Sequence, residues 1–141
     1  MIQRKQSIFL LLAGVCLAVF LALSAAWTVG PITALSWFST TAYILGGMTA
    51  VVAFASILLY KQRAQQQRVA TVAQWLDLAL IAVVVVALGL TFQDSDAGPP
   101  AEWLLTYWSL TLPMVAYVFI WLAKRGIAAD IALVKSMDRL R

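Results

Sequence analysis

Residues 6–60 read QSIFLLLAGVCLAVFLALSAAWTVGPITALSWFSTTAYILGGMTAVVAFASILLY and carry no charge. One helix of that length is implausible, and Gly30-Pro31 is a turn signal near its middle. The stretch divides into two apolar segments, Ile8–Thr28 and Thr41–Tyr60. Each is close to the ~20 residues a helix needs to cross a bilayer. Further along, Val72–Phe92 and Trp103–Ala123 are two more of the same kind. Lipid offers no partner to a free N–H or C=O, so every such span is predicted to be helical.

Composition points the same way. The chain has 141 residues, of which 63% are hydrophobic and 11% charged. Soluble domains lie nearer half and a quarter, and a soluble chain of this size cannot hide so much apolar surface. The expected fold is all-α. It is an integral membrane four-helix bundle forming a single domain over 1–141, with spans at about 8–28, 41–60, 72–92 and 103–123. Residues 124–141 are expected to form a cytoplasmic helical tail.

The basic residues orient this bundle. Arg4 and Lys5 precede the first span, and Lys61, Arg63 and Arg68 separate the second from the third. Lys124, Arg125, Lys135, Arg139 and Arg141 follow the fourth, which accounts for all ten. The connections Val29–Thr40 and Gln93–Ala101 have none. The positive-inside rule then places both termini in the cytoplasm. Trp27, Trp37, Tyr43 and Trp103 fall at the outer interface and Tyr60, Trp75 and Trp121 at the inner one, the depths that amphipathic rings prefer. Arg4-Lys5, the apolar run and Ser24-Ala25-Ala26 also resemble a cleavable secretory signal. The run is long for one, and the first span is expected to be retained.

Two scarcities narrow the chemistry. With no histidine, bis-His haem ligation, His-dependent triads and HExxH zinc sites are excluded. The only cysteine, Cys16, lies in an apolar run, so no CxxC pair or intrachain disulfide is available, and an inert packing role is expected. No cofactor or metal is expected.

Several local signals stand out within the spans. Gly14, Ala18, Ala22 and Ala26 recur at steps of four, as do Ala42, Gly46 and Ala50. Small stripes of this kind let helices approach closely in lipid, within the bundle or against another subunit. Thr71-Val-Ala-Gln74 has the form of a capping box and predicts a helix start at Thr71. The polar run KQRAQQQRVA at 61–70 is helix-compatible and is expected to continue the second helix; its bases should attract anionic lipid. Without interleaved aromatics, nucleic-acid binding is not indicated. Pro113 predicts a kink in the fourth span, with the carbonyl of Ser109 freed and the Ser109 and Thr106 hydroxyls near it.

Asp77 is the only acid inside a span. A carboxylate there should face protein, water or a cation. Three readings are open: a pair with Arg68, Arg125 or Lys61; placement near a positive helix N-terminus; or a proton or cation site. In the tail, Ile127, Ile131 and Val134 share a face that Asp130 and Asp138 interrupt. A plain membrane-surface helix would not carry acids there. A docking segment is expected, formed by Lys124, Arg125, Asp130, Lys135, Asp138, Arg139 and Arg141, against the chain's own inner face or a partner.

The two ends carry a family resemblance. Met1-Ile-Gln-Arg-Lys-Gln-Ser-Ile-Phe-Leu-Leu-Leu-Ala13 resembles the opening of a small four-span family of Bacteroidota classed only as a domain of unknown function, number 4293. The closing Leu122-Ala-Lys-Arg-Gly-Ile127, Asp130 and Leu133-Val-Lys-Ser-Met-Asp-Arg-Leu-Arg141 resemble its end. Length and span count match across the whole chain. The resemblance implies an inner-membrane location and brings no activity, ligand or catalytic residue.

The expected role is a non-enzymatic accessory or scaffold subunit of a larger inner-membrane assembly, with the lipid bilayer and other membrane-protein subunits as partners. The alternative is a small proton-coupled exporter using Asp77. A third reading, a membrane enzyme holding a divalent ion on Asp94, Asp96 and Glu102, is weighed against a plain solvated acidic loop.

Overall fold

The computed structural model describes residues 2–28, 32, 35–93 and 104–138. They form four helices: α1 (Ile2–Ala22), α2 (Ser36–Leu58), α3 (Arg63–Gln93) and α4 (Leu104–Asp138). A 3-10 segment, Leu23–Thr28, continues α1. There is no strand among the described residues. Two helical stretches, Ser36–Leu58 and Arg63–Thr91, are long and apolar enough to cross a membrane, and Gln6–Ala22 is a shorter apolar stretch.

The helices form a closed ring. Each packs on two neighbours, in the order α1, α2, α3, α4 and back to α1, while the diagonal pairs barely meet. The most extensive interface is α1 on α4. Buried positions alternate in steps of three and four. On α1 they are Gln6, Leu10, Ala13, Leu17 and Phe20; on α3 they include Ala70, Ala73, Asp77, Leu80, Val84 and Ala87. On α4, Pro113, Ala116, Ile120, Ala123 and Ile127 continue the pattern. An average step of 3.5 keeps a seam facing its neighbour along the whole helix, as in left-handed antiparallel bundles. Leu10, Ala70 and Ala123 lie in one cluster that fixes the register of three helices at the Gln6 end. At the other end Trp27 packs on Phe20, Phe38 and Tyr43 with ring centroids 4.6, 5.6 and 5.6 Å away. Its Nε1 donates to Ser109 Oγ on α4 at 3.2 Å.

This seam takes in only part of the first small-residue stripe. Gly14 is buried, but Ala18 and Ala22 are exposed, and the side chain of Ala26 lies outside the described ones. Steps of four advance about 40° per step around a helix of 100° per residue, so the stripe winds out of the interface. Phe54 closes over Gly14, where an added Cβ would lie 2.6 Å from its ring. On α2 the stripe is short enough to stay in register, and Ala42, Gly46 and Ala50 are all buried.

The connection between α2 and α3 differs from expectation as well. α2 stops at Leu58, and a tight turn carries Gln62 N–H to Leu59 O at 2.9 Å. The polar stretch then opens α3 at Arg63 instead of extending α2. Its Arg, Ala and Gln residues are good helix formers, so the helix begins as soon as the turn allows. The capping box at Thr71 therefore does not operate. Thr71 lies inside α3, and its hydroxyl donates to the carbonyl of Gln67 at 2.8 Å.

The tail is not a separate segment. α4 runs unbroken through buried Pro113 and past Lys124 to Asp138, 35 residues or about 52 Å. Gly126 allows this continuation to pack against α1, because a Cβ there would lie 2.8 Å from Gln6 Cγ.

Gly47 is different: a Cβ there meets nothing within 4 Å. Gly47→Ala, in the interior of α2, is expected to raise stability by about 0.5–1 kcal/mol through helix propensity alone. Thermal unfolding in detergent measures this, and a loss of stability would instead reveal another chain packed on that face.

Candidate functional site

At the Gln6 end of the bundle, α1 and α3 begin and α2 finishes, while α4 continues beyond them. Lys124 Nζ donates to Gln74 Oε1 on α3 at 2.6 Å, which ties the two helices together above this end. Arg125 lies over the Trp121 ring at 5.6 Å, and Lys61 over the Tyr60 ring at 5.8 Å. Cations placed this way gain from the ring quadrupole while staying hydrated.

One turn further along α4, Asp130 meets the start of α3. Arg63 Nη1 lies 3.0 Å from Asp130 Oδ2. The approach is off the N–H direction, so the oxygen accepts no hydrogen bond and the contact is an ion pair. A groove of about 300 Å³ opens beside it, lined by Arg63 and Ala64 of α3 and by Ile131, Val134 and Lys135 of α4. From Ala132 to Met137 every residue of α4 is exposed, including Leu133, Val134 and Met137.

Of the expected docking residues, Lys124, Arg125, Asp130 and Lys135 thus gather at this end on one helix. Asp138's side chain, Arg139 and Arg141 lie outside the described residues. Asp130 pairs with the chain's own Arg63 at the start of α3. The residues not expected in a docking role are Arg63 and Gln74, whereas the floor of the groove, Ile131 and Val134, lies on the apolar face expected of the tail. The signal for that floor was the step of seven from Ile127 to Val134, which prolongs the buried seam of α4.

Asp77 is fully buried on α3, and neither carboxylate oxygen has a hydrogen-bond partner among the described residues. Two of its expected settings are corrected. Arg125 and Lys61 sit over aromatic rings, Arg68 is exposed, and none pairs with it. The helix N-terminus is also too far, because α3 starts at Arg63, about 21 Å away along the axis. The nearest buried α3 neighbours in the seam are Ala73 and Leu80. A step of seven from Ala70 places Asp77 about 10 Å along the bundle from the layer of Leu10 and Ala123.

A second, uncharged cleft of about 490 Å³ lies at the opposite end, where Trp27, Phe38 and Tyr43 meet the hydroxyls of Ser24, Ser36 and Ser39. No group of three or more His, Cys, Asp or Glu side chains is placed to hold a metal among the described residues. Asp94, Asp96 and Glu102 lie outside them.

The fold and its sites define an all-helical, antiparallel four-helix bundle, with apolar helices of membrane-spanning length and a polar, basic end. The chain belongs to the family described as a domain of unknown function (DUF4293), which it matches over residues 2–140. No curated protein and no solved structure matches it.

Proposed function

We propose that the protein is a four-span integral protein of the bacterial inner membrane, with both termini in the cytoplasm, acting as a non-enzymatic accessory or scaffold subunit of a larger assembly. Several features support the membrane reading. The outward surface of the helices carries Val51, Val85, Val86 and Val118, all more than half exposed. Isolated apolar side chains are normal on soluble proteins, but an apolar belt around a bundle suits lipid. All basic residues fall on the connections and ends that share one side. α1 is expected to be retained, since it supplies the main partner of α4.

The accessory role rests on one observation. α4 outlasts its neighbours and presents helical turns that nothing among the described residues covers, with apolar Leu133, Val134 and Met137 beside Lys135. An exposed helix end with apolar and basic side chains side by side suits a contact with a partner. Purification of the tagged chain in a mild detergent, read by native mass spectrometry, should yield at least one stoichiometric partner. A strictly monomeric protein without any co-purifying chain defeats the proposal.

A second reading is a small proton-coupled exporter. The buried carboxyl of Asp77, without a hydrogen-bond partner among the described residues, favours it, because such groups inside membranes serve proton relays. In vesicles reconstituted with the purified chain, proton-linked flux should disappear with Asp77→Asn. Flux that survives this substitution removes the reading.

A further inference from the structure

The accessory-subunit reading leaves open what docks, and the groove at the end of α4 narrows the answer. Its floor is apolar, from Ile131 and Val134, and its rim is cationic on both sides, from Arg63 and Lys135. Asp130 holds Arg63 in place at 3.0 Å, so one wall is already set. Lys135 has no ion-pair partner among the described residues. On the described side chains of this end, Asp130 is the single acid against Lys61, Arg63, Arg68, Lys124, Arg125 and Lys135. The complementary ligand is apolar at its centre and anionic at its edges.

Two such ligands compete, a phospholipid and a protein segment, and depth separates them. Trp121 and Lys124 mark the edge of the hydrocarbon. Ile131–Lys135 lie a further 10–16 Å or so along the helix. The headgroup layer is only about 5–8 Å thick, so the groove opens beyond it, in the cytosol. A second copy of the chain also fits poorly. Val134 prolongs the seam that faces α1 and α3, so the groove opens beneath the bundle, where a bundle standing alongside does not reach.

We propose that Arg63 and Lys135, flanking Ile131 and Val134, form a docking groove for an apolar side chain of a cytosolic protein segment whose neighbouring residues are carboxylates. This rests on the accessory-subunit reading and gives its partner a chemistry.

The test places a photo-crosslinking benzoylphenylalanine at Val134 of the full chain in native membranes, with the same group at exposed Ala129, away from the groove, as the control. Irradiation should give a discrete adduct from Val134 and none from Ala129. Mass spectrometry of the adduct should find another protein, with Asp or Glu within a turn of an apolar residue at the linked site. Lys135→Glu should lower the yield about fivefold and Lys135→Arg should preserve it, as expected for a rim charge. Adducts to phospholipid, to a second copy of the chain or to a peptide without carboxylates overturn the proposal. So do equal yields from the two positions, or no adduct at all. A stoichiometric partner on purification combined with no Val134 adduct removes the groove and keeps the accessory role; loss of both removes both.

Discussion

Trp27→Ala is expected to destabilise the bundle by about 3–5 kcal/mol, the range for emptying a buried aromatic site. Trp27 is 4% exposed, and three rings converge on it: Phe20 from α1, and Phe38 and Tyr43 from α2. Truncation leaves a void among side chains that are already fixed by their helices, so little collapse is available to fill it. It also removes the indole donor to Ser109, the contact by which the end of α1 holds α4 at this level. Trp27→Phe keeps a ring but loses the donor, and a smaller cost of about 1 kcal/mol follows. Denaturant titration in detergent, monitored by fluorescence or circular dichroism, measures both. Equal costs for the two variants would show that the hydrogen bond, and not the ring cluster, holds this end together.

Asp77→Val is expected to have the opposite sign and to stabilise the protein by about 1–3 kcal/mol. A buried carboxyl without a hydrogen-bond partner forfeits its hydration and regains nothing, and an apolar group of similar size removes that penalty. Valine is the closer replacement, because the seam around Asp77 is tight and a larger side chain would overpack it. The same titration reads the effect. A loss of stability of similar size would mean that a bound ion, water or second chain satisfies the carboxyl in the native protein. A stabilising result has its own meaning. A residue that weakens its own fold is retained for something other than folding, which strengthens Asp77 as a functional position.

Much of this architecture is legible in the sequence. The uncharged run 6–60 and its break at Gly30-Pro31 are enough to expect separate apolar helices, and four helices are found. Their boundaries are less legible, for physical reasons. The stretch 61–70 is equally good helix whether attached to α2 or to α3, and the turn at Leu59–Gln62 decides between them. That choice carried the error over Asp77. A helix start at Thr71 puts the residue near a positive end, whereas a start at Arg63 puts it mid-helix. The small stripe on α1 stays in the bundle's seam only at Gly14 among the described side chains, because steps of four wind out of a seam that repeats every 3.5 residues and turn Ala18 and Ala22 outward. At the basic end, charge flagged Lys124, Arg125 and Lys135 as docking residues, but Arg63 only as an orienting, lipid-facing base and Gln74 only as part of a capping box. Those two acquire roles only when α3 lies beside α4, a pairing no local pattern encodes.

The ring of helices also fixes an order of events during synthesis. The broadest interface joins α1 to α4, two helices far apart along the chain. At 5–20 residues per second, roughly 5–20 s separate the emergence of these two helices. During that interval Gln6, Leu10 and Leu17 have only α2 and then α3 to lean on. Anything that shields α1 while the chain is still being made, whether lipid, insertion machinery or a waiting partner, therefore governs how much finished bundle is obtained. Substitutions on the α4 face of α1 should lower yield in cells more than they lower the stability of the protein that does mature.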